Sequence, residues 1–300
     1  MNEKDKMSMT CKIDLAQLTN SIKGFNQTGE GLPMLDDSSQ ERPKSVVDLF
    51  GEEVHALRGK NARISDLIVS LIEKLQLPET HHHILTGGKA IGEKVDETTT
   101  DQPSYHNQHH IAEVVASSYI LGKRERLPNI RVAELVVAAA AHDLGHTGGS
   151  NSKPYELETL SCEIAIPILT ASGWTIEEVT RIWQMIVATD FVNGVPSIRQ
   201  TYIDTKSLPT DSEDRLLAIQ CLLLTEADIL FSCFNSEYNE ELSRLLSKEW
   251  NLPTANLTIK QRIGFLKMVA FISDAAKQLG IEERRLSLVS DLEKQLPPEA

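Results

Sequence analysis

The sequence predicts an all-α protein, and two observations support this fold class. Apolar residues recur at three- and four-residue spacing in successive segments from Ser45 onward, as expected for helices that bury one face. No segment shows a convincing alternation of apolar and polar residues, which a half-buried strand would require. We therefore predict one helical domain over residues 45–300, preceded by a polar, flexible extension over residues 1–44.

The elements are predicted in chain order. The residues SVVD at Ser45 resemble a capping box, and a helix over residues 64–77 is closed by Pro78. The glycine-containing stretch 81–104 is predicted to be a loop or a weak helix. Its histidine run has no carboxylate at helical spacing, so chance or adventitious surface metal binding is the preferred interpretation of that run.

Later segments are strongly helical, and two are apolar nearly all round and should lie in the core. The predicted helices cover residues 106–121, 132–142, 175–190, 212–231 and 258–280. Capping boxes are predicted at Thr175/Glu178 and Thr258/Gln261, with Gly280 as a left-handed C-terminal cap.

Composition limits the classes of function. The formal net charge of −13 argues against a nucleic-acid or anionic-membrane partner, although a bound metal could still attract a small phosphate substrate. The four cysteines suggest no disulfide framework, and we find neither a signal-peptide core nor an apolar run of membrane-spanning length. We expect a cytoplasmic protein without a membrane partner; a homodimer is compatible with the sequence.

Two clusters of metal-binding residue types stand out. His106 and His110 lie four residues apart on a predicted helix, so both should project from one face. His142, Asp143 and His146 follow an alanine-rich helix, where His142 and His146 should also share a face. Imidazole and carboxylate groups together suit Zn, Mn, Fe or Mg, and a carboxylate can bridge two ions.

A further acidic residue lies in an apolar helix. Asp228 is surrounded in sequence by leucine and isoleucine, so burial would require a partner for its charge. A metal is one such partner, and a salt bridge or a helix cap is the alternative. Glu226, on a different face of the same helix, is the competing candidate.

These motifs resemble those of a known family. The segments YHNQHHIAEVV, AAAAHDLGHTGGSN, IVATDF and TEADIL resemble, in order and spacing, the motifs of the HD-domain metal-dependent phosphohydrolases. Within that superfamily they are most similar to the class I 3′,5′-cyclic nucleotide phosphodiesterases, over about residues 50–290. The resemblance implies the compact multi-helix catalytic domain of that family.

The resemblance also implies roles for individual residues. The tighter metal, Zn or alternatively Fe or Mn, would be held by His110, His142, Asp143 and Asp228. Asp143 would bridge to a second metal, Mg or Mn, and His106 would be the general acid. Residues placed near the second metal, its waters or the phosphate are His146, Asn151, Glu163, Thr189 and Asp190. Either Glu158 or Glu163 is expected to support His106 as its carboxylate partner.

The base-binding residues follow less directly from the resemblance. Tyr105, Phe191, Gln261 and Phe265 are the candidates for substrate binding. Gln261 lies one residue before the position of the family's base-holding glutamine, which Arg262 occupies here. Gln261 also has a structural explanation as the capping partner of Thr258, and Phe265 has one in core packing.

The sequence thus predicts hydrolysis of a 3′,5′-cyclic nucleotide, cAMP and/or cGMP, to the nucleoside 5′-monophosphate. The nucleophile would be a hydroxide activated by two metal ions. Two alternatives stay open at this point. One is an HD-type phosphohydrolase that acts on another nucleotide phosphate ester, and the other is a non-catalytic sensor that binds a nucleotide.

Overall fold

The structure, a computed structural model, describes residues 63–98, 105–253 and 256–297. Within these ranges it consists of helices without strands, which confirms the all-α prediction. The α-helices are α1 (Ile64–Lys74), α2 (His82–Thr98), α3 (Gln108–Arg124), α4 (Asn129–Ala141), α5 (Glu156–Ala171), α6 (Ile176–Val187), α7 (Gly194–Thr205), α8 (Glu213–Leu230), α9 (Ser236–Glu249), α10 (Ile259–Met268), α11 (Asp274–Gln278) and α12 (Ile281–Glu293). The predicted extension over residues 1–44 and the capping box at Ser45 lie outside the described residues.

Helix α4 forms the centre of the domain. Every residue from Val132 to Ala141 is buried, and the helix packs against α1, α2, α3, α5, α6 and α8. Its four consecutive alanines, 138–141, have no exposed surface, and their small side chains leave room for neighbouring helices on all sides. The prediction that this apolar helix is buried in the core is confirmed.

Helix α8 is the second central element. Together with the 3₁₀ turn that follows it, Glu213–Cys233 is the one described segment long and apolar enough to cross a membrane. Because 89% of its most apolar window is buried inside the protein, these features are weak evidence for a membrane span. Core helices commonly have such a composition.

A buried ion network joins α4, α6 and α8. The carboxylate of Glu134 has no exposed surface and accepts hydrogen bonds from Arg131, Arg181 and Gln220. Arg181 comes from α6 and Gln220 from α8, so one carboxylate binds side chains of two other helices. A buried charge with several such partners favours one register of the helices over others.

Of the loop and the weak helix predicted as alternatives over residues 81–104, the described part is helical, since α2 is a 17-residue helix. Its glycines are contact points with neighbouring helices rather than breaks. A Cβ atom on Gly92 would lie 2.5 Å from the Cα of Ser65 in α1, and one on Gly87 would lie 2.2 Å from the indole nitrogen of Trp174. The close approach of these elements outweighs the low helix propensity of glycine.

The prediction of a single helix over residues 258–280 is wrong. Helix α10 ends at Met268, and α11 begins after Ser273, its N-cap. The carboxylate of Glu226 in α8 accepts hydrogen bonds from the backbone N–H groups of Ile272, at 2.6 Å, and Ser273, at 3.0 Å. This long-range acceptor replaces intrahelical partners and interrupts the helix.

The three predicted caps are confirmed. Thr175/Glu178 and Thr258/Gln261 form complete capping boxes. Gly280 has a φ of 70°, in the left-handed region, between α11 and α12.

Candidate metal centre and active site

The first histidine pair lies at the start of α3. Asn107 is the N-cap, and its side-chain oxygen accepts a hydrogen bond from the backbone N–H of His110. His110 therefore lies in the first turn of α3, whereas His106 precedes the helix. The prediction that both project from one helix face is wrong, because the Asn107 cap starts the helix later. Their rings nevertheless lie 5.8 Å apart between centroids.

The second cluster lies where α4 ends. His142 is the C-cap of α4, and Asp143 and His146 lie in the turns that follow. The predicted common helix face for His142 and His146 is therefore wrong. Gly145 lies in these turns at a close approach to α5, where a Cβ atom would lie 2.6 Å from the backbone of Leu160.

The tautomer of His142 follows from its hydrogen bond. Its Nδ1 lies 2.7 Å from the backbone carbonyl oxygen of Ala139, so Nδ1 carries the proton that is donated. In the neutral ring the lone pair then belongs to Nε2, which faces the neighbouring carboxylates. This is the arrangement that metal-binding histidines use in proteins.

The structure brings four side chains from three regions together. His110 Nε2 lies 3.0 Å from Asp228 Oδ1 and 3.4 Å from Asp143 Oδ2. His142 Nε2 lies 3.1 Å from Asp143 Oδ2 and 3.5 Å from Asp228 Oδ1. Three of these atoms are buried and form no hydrogen bond of acceptable geometry with any described residue, namely His110 Nε2, His142 Nε2 and Asp143 Oδ2.

This group fits a metal ion. Two imidazole nitrogens and two carboxylate oxygens form a donor set that suits Zn, Fe or Mn. Buried polar atoms that lack partners are costly, and an ion between them would satisfy all of them. Glu226, the competing candidate, binds the Ile272–Ser273 backbone instead and does not belong to this group.

The charges of this group also favour the binding of a cation. Burial lowers the pKa of His110, but the adjacent carboxylates of Asp143 and Asp228 outweigh this effect and raise the pKa to about 9. Burial also raises the pKa of Asp143, yet nearby His142 and His106 hold that pKa well below its usual range. The site therefore attracts positive charge, and protons compete with a metal for the same atoms.

A second group surrounds His106. Its Nδ1 lies 2.6 Å from Oε1 of Glu249, whose other oxygen accepts hydrogen bonds from the backbone N–H groups of Tyr105, at 2.9 Å, and His106, at 3.1 Å. The His106 ring stacks on that of His146, with centroids 3.4 Å apart. Burial raises the pKa of Glu249, but the hydrogen bond and charge of His106 outweigh burial and lower it.

Glu249 is the carboxylate partner that sequence reasoning missed. The prediction of Glu158 or Glu163 is wrong, because Glu163 is exposed on α5 and Glu158 accepts a hydrogen bond from Asn151. Glu249 lies 143 residues after His106, at the end of α9, and no local pattern identifies it.

Two residues predicted to lie near a second metal, Asn151 and Asp190, share a hydrogen-bond network with Glu158. The amide nitrogen of Asn151 donates to Glu158, at 2.9 Å, and to Asp190, at 3.1 Å. Asp190 also accepts from the backbone of Tyr155 and of the turn before α7. Thr189 follows α6, and its hydroxyl donates to the carbonyl oxygen of Ile186 in that helix, so Asp190 rather than Thr189 joins the network.

A cavity of about 520 Å³ adjoins these groups. His106 and Asp228 line it, together with Tyr105, Phe191, Trp250, Gln261, Arg262 and Phe265. Phe191 and Phe265 stack with ring centroids 5.3 Å apart, so two of the three aromatic residues predicted to bind substrate lie together. Cavities of this size commonly hold small organic ligands.

The sequence of the chain matches a known protein family. Residues 105–256, slightly more than half of the chain, match the sequence profile of the 3'5'-cyclic nucleotide phosphodiesterase family. No curated protein sequence is significantly similar to the chain.

Solved structures share the fold. LmjPDEB1 in complex with IBMX superposes with a TM-score of 0.60 at 17% identity, covering 85% of this chain and 87% of that one. The phosphodiesterase domain of the RhoPDE fusion protein from the choanoflagellate Salpingoeca rosetta superposes with a TM-score of 0.54 at 20% identity, covering 81% and 88%.

Proposed function

The chain belongs to the 3'5'-cyclic nucleotide phosphodiesterase family and is a cyclic nucleotide phosphodiesterase, and from this premise we propose how its residues perform the hydrolysis. The observation that supports the proposal most is the convergence of His110, His142, Asp143 and Asp228 beside a cavity of nucleotide size. The proposed reaction opens the 3′ ester bond of the cyclic phosphate and yields a nucleoside 5′-monophosphate.

Divalent metals belong to the family's chemistry, and their identity here is proposed. His110, His142, Asp143 and Asp228 would hold the tighter ion, Zn or alternatively Fe or Mn, and Asp143 would share a second ion, Mg or Mn. When bound, the two ions supply positive charge for the phosphate and lower the pKa of water so that hydroxide is available near neutral pH. The unpartnered ligand atoms of the described site support this assignment.

We propose that His106 is the general acid. Its Nδ1 is engaged by Glu249, so Nε2 is the ring atom left to deliver a proton to the departing 3′ oxygen. His106 lines the cavity together with Asp228, so the acid and a metal ligand border the same space. Glu249 acts as a positioning residue, because it fixes both the ring and the backbone of His106.

His146 is proposed to bind the phosphate. Its Nδ1 accepts a hydrogen bond from the backbone N–H of Gly148, at 3.1 Å, which places the ring proton on Nε2. Burial and the charge of His106 lower the pKa of His146 to about 4, so the ring is neutral at physiological pH. A neutral Nε2–H is a suitable donor to a phosphate oxygen.

The cellular setting is also part of the proposal. The cytoplasmic location and the lack of nucleic-acid and membrane partners stay predictions from charge and cysteine content. Assembly into a homodimer also stays a prediction.

Hydrolysis by the purified, full-length protein tests the proposal. The protein is supplied with Mn or Mg and offered cAMP, cGMP, cyclic dinucleotides and nucleoside monophosphates, and products are separated by chromatography. We expect 5′-monophosphates from a 3′,5′-cyclic mononucleotide and loss of turnover in Asp143→Ala. Turnover of monophosphates or cyclic dinucleotides alone, or activity of Asp143→Ala equal to that of the wild type, would contradict the proposal.

A further inference from the structure

A buried cation, Arg262, lies in the wall of the active-site cavity. Arg262 in α10 lines the cavity that Asp228 and His106 also line, yet only 5% of its surface is exposed. The cavity wall is otherwise mostly apolar around it, with Leu242, Phe265 and Met268 among the lining residues. Burying a guanidinium group in such a place is costly unless its donors are used.

The guanidinium group of Arg262 is held through Nε and Nη2, while Nη1 is available to a ligand. Its Nε donates to Asn239 Oδ1 at 2.6 Å, and its Nη2 donates to the carbonyl oxygen of Ser236 at 3.2 Å. Asn239 is itself held, because its Nδ2 donates to the carbonyl oxygen of Ser232 at 2.7 Å. Within the described residues Nη1 donates no hydrogen bond, and the nearest carboxylate, the mostly exposed Glu240, lies 4.0 Å away.

Gln261, the other polar residue of α10 that lines the cavity, takes part in capping the helix. Its Oε1 accepts from the backbone N–H of Thr258, at 2.9 Å, and from the Thr258 hydroxyl, at 2.8 Å. These bonds form the capping box that starts α10, so turning the amide towards a ligand would uncap the helix. Arg262 is therefore the polar group of α10 that is available to a bound base.

The chemistry of an arginine restricts which base it accepts. A guanidinium group has donors and no acceptor. Guanine presents two adjacent acceptors, O6 and N7, whereas adenine presents the acceptor N7 beside the donor N6 amino group. Arg262 can thus pair fully with the guanine edge, while the adenine amino group would face a donor.

We propose that Arg262, positioned by Asn239, recognises the O6/N7 edge of the purine and makes the enzyme selective for cyclic GMP over cyclic AMP. This inference rests on the proposed function and names the substrate within it. A well-formed pair of arginine with guanine discriminates against the wrong base by roughly 5- to 150-fold.

Three substrates test the inference in the unmodified enzyme. The metal-replete protein is assayed with cyclic GMP, cyclic AMP and cyclic IMP, whose hypoxanthine base keeps O6 and N7 but lacks the 2-amino group of guanine. We expect kcat/KM for cyclic GMP and cyclic IMP to exceed that for cyclic AMP by roughly 5-fold or more. Equal or better turnover of cyclic AMP, or cyclic IMP behaving like cyclic AMP, would overturn the inference while leaving the proposed function intact.

A substitution then assigns the selectivity to one residue. Arg262→Gln offers both a donor and an acceptor, so the preference for cyclic GMP should fall at least 5-fold, mainly through KM, because the base lies away from the reacting phosphate. Arg215→Gln removes an arginine whose hydrogen bonds to other described residues go to the carbonyl oxygens of Lys206 and Leu208, outside the cavity lining, and it should keep the wild-type preference. An unchanged preference in folded Arg262→Gln would refute the assignment.

The two proposals fail separately. If none of the three cyclic nucleotides is hydrolysed, the proposed function is contradicted. Binding of the same three nucleotides to the metal-loaded protein, measured by calorimetry, would still test the inference about Arg262. That inference requires cyclic GMP and cyclic IMP to bind more tightly than cyclic AMP.

Discussion

Replacing Glu249 by glutamine tests the proposed positioning of His106, the proposed general acid, separately from metal binding. The Glu249 carboxylate accepts three hydrogen bonds, one from the His106 ring and two from the backbone of Tyr105 and His106. A glutamine has one acceptor oxygen, so it cannot serve both the ring and the backbone. The side chain of Glu249 is 4% exposed, so water has little access to replace the lost acceptor.

The size of the effect follows from the lost contact. A hydrogen bond between charged groups contributes about 1.5–3 kcal/mol, and each 1.36 kcal/mol of barrier corresponds to about tenfold in rate. We therefore expect Glu249→Gln to lower kcat on a cyclic nucleotide by roughly 10- to 150-fold. This loss lies at or below the lower end of the ~10²- to 10⁴-fold that general acid–base catalysis typically contributes, as expected when the acid is displaced rather than removed.

The assay compares two leaving groups. A diester of 4-nitrophenol needs little protonation of its leaving oxygen, so its turnover should fall much less than that of the cyclic nucleotide. Glu237→Gln changes an exposed carboxylate on the same helix and should leave both rates unchanged. Equal losses on both substrates, loss of bound metal, or an unchanged kcat would refute the positioning role.

Three further predictions concern the metal and the fold. Asp228→Asn should lose bound metal and activity together, and plasma mass spectrometry showing wild-type metal content after dialysis would contradict this. Gly92→Ala should lower the free energy of unfolding in urea by about 1–3 kcal/mol, because its Cβ would lie 2.5 Å from Ser65 Cα. A Cβ atom on Gly264 in α10 would lie more than 4 Å from every described atom counted as a contact, so Gly264→Ala should instead raise that free energy by about 0.5–1 kcal/mol. Equal effects of Gly92→Ala and Gly264→Ala would refute the packing argument. Burial raises the pKa of Glu178, but the hydrogen bonds of the capping box and the partner His83 outweigh burial and lower that pKa overall. The ionised Glu178 therefore stabilises the fold above the pKa of the unfolded state, and this contribution is lost as the pH falls through the pKa of the folded state. The free energy of unfolding of Glu178→Gln should thus be about 1 kcal/mol below that of the wild type at pH 7, and the two should be closer near pH 4. A difference between the two free energies that does not change with pH would contradict this.

The convergence of the proposed metal ligands was predictable because short segments of the sequence already show residue types that need partners. His142 and Asp143 are adjacent at the end of an alanine-rich buried helix, and Asp228 carries a charge inside an apolar one. Such residues need partners wherever the chain folds, so the pattern indicates convergence before any contact is known. The capping boxes were predictable for the same reason, since all their atoms lie within four residues.

The parts that were wrong or left open depend on distant contacts. Nothing near Glu249 signals that it binds His106, 143 residues earlier. The break between α10 and α11 depends on Glu226 in α8, and the glycines of α2 are tolerated because α1 packs against them. Helix propensity and periodicity are local quantities, and tertiary packing overrides them at these positions.

The most direct test of the account is the position of a metal in crystals of the protein grown with manganese. Anomalous diffraction should give a peak within bonding distance of His110 Nε2, His142 Nε2, Asp143 Oδ2 and Asp228 Oδ1. The same map calculated for Asp228→Ala crystals should show that peak weakened or absent. A wild-type map without density between these four atoms, or with manganese bound elsewhere, would contradict the central claim.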